Sequence, residues 1–434
     1  MFTHLQQATL SGPSLLLAGD SAPGRRKRVL FLTHRVPFPP DRGDRIRAYH
    51  MLKYLSQRFD VSLACASDEP VTEGQMHILE GLADRVAIQP ISPRWGKIRG
   101  LLSLATGGAI TPAYFYRKPL SRTIRNWHAV QPFDAVLTYC TGMINYARDV
   151  IRSSPAGHKP RHVIDLVDVD SAKWNEYARH ARAPMKWLYA TEAKRIAAIE
   201  SGQRDHFDSI AVVSDAEAET YRREVGEHEG LTVLRHAVDT NYFKPLPDAG
   251  SWTLVFVGVL NYKPNVEGIS WFVKNVMPLL RHHLPNVKLQ IVGRAPTPAV
   301  LALNDEPNVE VVGPVPDVRK YLRSASAAIA PLRIARGVQT KVLEAMASGR
   351  VAVCSPGAAE GIHAEAGKHL LIATEPQHWV DVLSQVLQDG HLRTAIATAA
   401  RAQVEAIYPW EKCLAPLAEL LTGEKKTREE RIAA

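Results

Sequence analysis

The sequence predicts an α/β protein built from two doubly wound domains, and three observations carry that prediction. Short apolar runs that read as buried strands alternate with helical patterns in both halves of the chain, the signature of parallel sheets covered on both faces. The stretch HAVDTNYFKPLPDAG at 236–250 is rich in turn and proline signals and divides the halves. The length of 434 residues also exceeds what one hydrophobic core ordinarily supports.

In the first half, Val29–Thr33 reads as a buried strand followed by a proline-rich loop. Helix cannot begin before Asp41, because the prolines lack the donor and clash with a preceding turn. From Ile46 the apolar positions Ile46, Tyr49, Leu52 and Leu55 keep helical spacing. Gly43 and Asp44 stand where the loop meets this helix, as an anion cradle or as a plain turn. Further strands are expected at Asp60–Ala66, Val86–Ile91, Asp134–Tyr139, His162–Val167, Ser209–Val213 and Leu231–Leu234, with a long charged helix at Pro184–Asp205. Ser214 is a candidate helix cap. Asp165, Asp168 and Asp170 fall at or just past the end of one strand. Acids there can bind a metal, hold a sugar hydroxyl, act as a base or cap the next helix.

In the second half, strands are expected at 254–259, 288–292, 309–312, 327–332, 351–354 and 369–373, with helices near 265–283, 297–303, 317–325, 340–348, 376–389 and 391–407. The most informative stretch is AIAPLRIARGVQTKVLEAMASGRVAVCS, 328–355, which reads as strand, loop, helix, strand. In an open α/β sheet such a loop lies at the carboxyl edge, where ligands bind. Arg333, Arg336, Gly337 and the helix start suit an anion such as a diphosphate, and Thr340 is a candidate cap. Lys341 and Glu344 share a helical face, where a carboxylate can accept from a vicinal diol or simply face solvent. A final amphipathic helix follows YPW at 408–410. The expected organisation is an extension at 1–25, a first domain at 26–235, a linker at 236–250, a second domain at 251–407, a helix at 408–423 and a charged tail at 424–434.

Apolar residues make up 46% and charged residues 22%, as in a globular protein. The formal charge of +9 favours anionic partners without choosing among them. Four scattered cysteines without a CxxC or Cys/His cluster argue against a zinc site or a disulfide framework and for a reducing cytoplasm. No apolar run is long enough to span a bilayer. Residues 92–132 contain seven Arg or Lys and no acid, interleaved with Trp95, Tyr114, Phe115, Tyr116 and Trp127. Such a surface suits an anionic membrane, a lipid diphosphate or nucleic acid, or it packs its aromatics inward. GxGxxG, Walker A, kinase and GxSxG patterns are absent.

With these motifs placed, the chain resembles the GT-B glycosyltransferases of the large retaining family 4, from about Arg28 to Leu421, with two Rossmann-like domains facing across a cleft. The resemblance rests on FVGVLNYKPNVEG (256–268), LQIVGRAP (289–296), NVEVVGPVPDVRKYLRSASAAIAPL (308–332), RGVQTKVLEAMASGRVAV (336–353), HAVDTNYFKP (236–245) and YPW. More narrowly, PFPPDRGD (37–44), DLVDVDSAKW (165–174) and RGVQTKVLEAM resemble sugar transferases associated with PEP-CTERM/exosortase exopolysaccharide loci.

The resemblance implies transfer of a sugar from a nucleotide sugar to a glycan or polyprenyl-linked acceptor, retaining and metal-independent. It implies no cofactor and no nucleic acid, and a cytoplasmic location with peripheral membrane contact through 92–132. Glu344 would bind the ribose, and Gly337, Val338, Gln339 and Thr340 would offer backbone amides to the diphosphate. Lys263, Arg336 and Lys341 would neutralise it, Gly258, Gly293 and Arg294 would line the donor site, and Gly43 with Asp44 would close over it from the first domain. The family's first glutamate falls on Arg336, and its first-domain histidine falls near Val167, beside Asp168. Asp168, Arg336 and Lys263 are therefore the catalytic candidates. A GT-B nucleotide-sugar epimerase and a non-catalytic GT-B subunit are the alternatives.

Overall fold

The computed structural model describes residues 25–202, 207–245, 250–333, 335 and 337–424. The first domain is a seven-stranded sheet of β1 (Arg28–Thr33), β2 (Asp60–Ser67), β3 (Arg85–Pro90), β4 (Ala135–Tyr139), β5 (Arg161–Val167), β6 (Ser209–Val212) and β7 (Leu231–Val233). Its order is β3-β2-β1-β4-β5-β6-β7, with every pairing parallel. The second domain is a six-stranded sheet of β8 (Thr253–Val257), β9 (Lys288–Val292), β10 (Val309–Gly313), β11 (Ala327–Ala330), β12 (Val351–Cys354) and β13 (Leu371–Ile372). Its order is β10-β9-β8-β11-β12-β13, again parallel. Central strands such as β1 and β12 are buried almost end to end, which explains their unbroken apolar runs.

Each order reverses once, between β1 and β4 and between β8 and β11. Loops leaving neighbouring strands diverge at such a point and leave a crevice. The two crevices face each other, because Arg294 of the second domain reaches Asp41 of the first at 3.4 Å. The helix Trp410–Thr422 crosses back to the first domain, where Trp410, Leu414, Leu417 and Leu421 join an apolar cluster with β1, β2 and β4. His50 stacks on Trp410 at 4.3 Å between centroids.

Several expectations change. The helix expected at 265–283 divides into Lys263–Asn275 and Met277–His283, because Pro278 cannot donate to a continuing helix. The charged helix runs Met185–Glu200, and 203–206 lie outside the described residues. Ser214 caps its helix by accepting from the Glu217 amide. Thr340 does not cap: it is the first helical residue, after an extended Gln339 that provides no side-chain cap. The described part of the linker is packed, with Ala237, Val238 and Phe243 buried. At the ends, Arg25 bonds Asp134 and Lys27 pairs with Glu424, while residues 1–24 and 425–434 lie outside the described residues.

Candidate functional site

The second-domain wall is mostly backbone. Gly258 ends β8 and donates to Val292 O at 3.0 Å. Gly293 ends β9 at φ +155, and a Cβ there would lie 1.6 Å from Gly258 O. No side chain fits, so the two loops pack backbone on backbone and leave a shallow floor. A Cβ at Gly258 would fall 2.9 Å from Asn265 Nδ2 and 3.3 Å from Lys341 Nζ.

Lys341 and Asn265 form the polar centre of that floor. Lys341 Nζ donates to Asn265 Oδ1 at 2.5 Å and lies 4.8 Å from the Phe256 ring centroid. Asn265 is buried, with its amide held by Val259 O at 2.9 Å. Burial lowers Lys341 to about 8, with Glu344 opposing the shift. Glu344, one turn along, is pushed up to about 7 by burial, with Lys341 opposing. It is half-buried rather than a solvated surface charge. Near neutral pH such a carboxyl can accept from a diol or donate to it. The Thr340–Ala347 helix presents its uncapped first turn to the same crevice, where backbone amides and the dipole suit an anion.

The first-domain wall is built from charge pairs. The β5–β6 pairing slips between Asp165 and Val167, and Val167 adopts φ +67. This conformation is unfavourable for a β-branched residue, and with the slip it turns Asp168 out of the sheet. Behind it, Asp165 is fully buried against Arg47 at 2.9 Å, and Arg47 also donates to Leu234 O and Arg235 O. Asp170 accepts from Thr141 Oγ1 at 2.8 Å. The three aspartates thus separate into a buried ion-pair partner, a loop anchor and a cleft-facing carboxylate. Among the described residues, no group of three His, Cys, Asp or Glu is placed to hold a metal.

Asp168 stands opposite the loop at Gly337. A Cβ on Gly337, at φ +61, would lie 3.0 Å from Asp168 Oδ1. Solvent reaches the side chain, yet the narrow cleft surrounds it with protein. That desolvation, with the Glu217 carboxylate nearby, pushes its carboxyl up to about 6, and Lys173 opposes the shift.

Other expected site residues lie elsewhere. Asp44 is bound within its own domain, 2.5 Å from Arg35 and 3.6 Å from His34. Although burial opposes it, these partners hold Asp44 well below the usual carboxylate range, so it orders the loop instead of offering itself to a donor. Gly43 begins the helix Gly43–Ser56 with open space at its Cβ position. Lys263 is 80% exposed beside Glu267, outside the Lys341–Asn265 cluster; at the first turn of its helix it extends into water. Arg294 is engaged with Asp41. Val338 and Gln339 connect Gly337 to the helix, and Arg336 lies outside the described residues.

Sequence reasoning missed Asn265 and the His34–Arg35–Asp44 cluster. Asn265 carried a signal, since it falls two residues into the helix that follows a glycine loop. A cavity of about 390 Å³ lies at the opposite, amino edge of the second sheet, lined by Arg350, Arg393 and Arg401 among others. Those arginines donate to backbone carbonyls, so they support structure rather than chemistry.

Residues 251–389 match the family model of the glycosyl transferases group 1, spanning most of the second domain. An uncharacterized 44.6 kDa protein in the cps region of Klebsiella pneumoniae is 21% identical over 361 residues, covering 80% of this chain and 88% of that protein. HepE from Anabaena, in complex with UDP and glucose, superposes with a TM-score of 0.62 at 16% identity, over 92% of this chain and all of that one. Sucrose-phosphate synthase from Thermosynechococcus elongatus gives a TM-score of 0.65 at 14% identity, over 94% of this chain and all of that one. The fold is therefore GT-B, two parallel-sheet domains facing across a cleft.

Proposed function

We propose that this protein is a glycosyltransferase of exopolysaccharide biosynthesis, moving a sugar from a nucleotide sugar to a glycan or lipid-linked acceptor. The observation that carries this reading is the Lys341–Asn265–Glu344 group at the β8/β11 crevice, with Asp168 facing Gly337 across it. The match of the second domain to the glycosyl transferases group 1 supports it. So does the relative encoded in a cps region.

Glu344 takes the ribose hydroxyls. The amides from Gly337 to Thr340, with Lys341, receive the diphosphate, and burial strengthens that attraction. The bond from the sugar's anomeric carbon to the diphosphate oxygen breaks, and its electron pair leaves with the diphosphate. The acceptor oxygen bonds to the same carbon and its proton passes to the departing diphosphate, from the same face if the configuration is retained. Asp168 holds a hydroxyl of the transferred sugar. It supplies a carboxylate that faces Gly337, in a chain that has arginine at position 336 where the resembled family keeps a glutamate. The step uses no metal in this reading.

No helix among the described residues is long and apolar enough to cross a membrane. Contact with the inner membrane face falls to the helix Pro93–Ala105, where Trp95, Ile98, Leu101 and Leu102 are exposed beside Arg94 and Lys97. The other aromatics of 92–132 are half-buried: Tyr116 packs tilted against Tyr146, and Phe115 meets His34 edge-on.

Thermal unfolding with UDP, UDP-glucose and a panel of other nucleotides tests the donor reading, UDP coming first because HepE binds it. A ligand at about 100 times its dissociation constant stabilises by roughly 2.7 kcal/mol. Glu344→Ala should lose most of that shift. No shift of the wild type by any nucleotide at millimolar concentration would sink the proposal.

A further inference from the structure

A second contact between the domains is centred on His363. Its Nε2 stands 2.8 Å from Asp215 Oδ2, at the start of the first-domain helix Asp215–Glu224. Arg235 Nη2 approaches the same carboxylate oxygen at 2.9 Å and His363 Nε2 at 3.3 Å. A carboxylate only accepts, so the His363 ring turns an N–H toward it. Arg235 belongs to the first-domain side of the contact, because Arg47 holds its carbonyl at 3.1 Å.

Both partners continue into the walls of the cleft. On the second-domain side, a Cβ at Gly361 would lie 2.7 Å from Gly337 O and 3.2 Å from Val338 Cα. The turn that leads into His363 is therefore packed backbone on backbone against the Gly337 loop, with little room for one to shift without the other. The His363 amide donates to Tyr408 Oη at 2.7 Å and its carbonyl accepts from Gln403 at 2.8 Å, which fixes that turn without the imidazole. On the first-domain side, the helix that begins at Asp215 carries Glu217, which accepts from the Val169 amide at 2.9 Å. The path from Gly337 through Gly361, His363, Asp215, Glu217 and Val169 thus returns to Asp168, which itself stands against Gly337.

The pair is exposed, with 48% of the His363 side chain and 54% of the Asp215 side chain open to solvent, and such pairs contribute little to stability. Its place in this path gives it a different use. A diphosphate received by the Gly337 loop and a sugar held by Asp168 react only when both walls stand in register, and a displacement of about 1 Å can cost roughly 100-fold in rate. Resting on the glycosyltransferase reading above, we propose that His363 is a positioning residue: through Asp215 it clamps the Gly337 loop in register with Asp168.

Small-angle X-ray scattering of the unliganded full chain, paired with UDP-glucose hydrolysis and calorimetric titration with UDP, tests this. His363→Ala should open the cleft and give a larger radius of gyration. It should lower kcat roughly fivefold, the equivalent of about 1 kcal/mol, with UDP affinity unchanged, which also shows that the variant folds. His363→Gln, whose amide can donate to Asp215, should keep the wild-type values. Asp215→Ala should match His363→Ala, and the double variant should be no slower than either. Scattering from His363→Ala identical to that of the wild type overturns the clamp. The positioning role is overturned by a kcat that stays at the wild-type level, by losses that add in the double variant, or by UDP affinity that falls with kcat. A wild type without UDP binding or UDP-glucose turnover counts instead against the functional reading beneath, and the scattering comparison still decides the clamp.

Discussion

The two walls of the cleft are made of different material. The second-domain wall is backbone and glycine around one lysine–asparagine pair, and its key residues come from 256–265, from Gly293 and from 337–344. The first-domain wall is assembled from paired side chains: Arg47 meets Asp165, Asp44 meets Arg35, and Ser171 donates to Glu200. In the glycosyltransferase reading proposed above, the wall of amides would receive the diphosphate, and the wall of placed side chains would choose the sugar and the acceptor.

Breaking the largest pair should show how far the first wall depends on buried charge. Arg47→Ala leaves the fully buried Asp165 without its ion partner, and urea unfolding should report a loss of about 3–5 kcal/mol. A smaller loss would mean that Asp165 takes up a proton or another partner.

Asp168→Asn should sharpen the division of labour, because it removes charge from the first wall only. We expect kcat to fall roughly 10- to 100-fold, the worth of a hydrogen bond to a charged group, with UDP affinity unchanged. Wild-type kcat/KM should decline as pH falls through about 6, where Asp168 gains a proton, and the variant should lack that limb. A parallel decline in both proteins would assign it to another group.

A pH-dependent effect concerns the support of the helix Asp170–His180. Glu200 accepts from the Ser171 amide and hydroxyl at the start of Asp170–His180, and burial pushes it up to about 8, with Asp170 adding to the rise. The folded protein then holds a proton that the unfolded chain has lost above about 4.3. Stability falls as pH rises across that window, by at most about 1.4 kcal/mol per pH unit from this group. Glu200→Gln should match the wild type near pH 5 and exceed it at pH 8 in denaturant unfolding. Equal pH slopes in the two proteins would contradict the raised value.

Legibility in the sequence follows the same division. Strand alternation, the loop at Gly337 and the shared face of Lys341 and Glu344 are local patterns, set by residues within two helical turns of each other, and the structure places them together. Motif position says nothing of side-chain direction: Lys263 extends into water beside Glu267, and Asp44 is bound by Arg35 and His34. In the sequence, its place after a strand does not tell Asp168 apart from Asp165 and Asp170, and only the resemblance, which sets the family's histidine beside it, singles it out. In the structure the slip in β5 and the left-handed Val167 do that, and both depend on the neighbouring strand.

The sequence by itself determined the fold class, two parallel sheets each covered by helices, because buried strands and amphipathic helices are written in short periodic runs of apolar residues. It also marked the loop at Gly337 and the helix start after it, because both are written in adjacent residues. Packing between distant segments was needed to set Asp165 against Arg47 and Asp168 against Gly337, and to seat Lys341 on Asn265. Those outcomes depend on packing between segments far apart in the chain, where burial and charge choose among partners that no local pattern distinguishes.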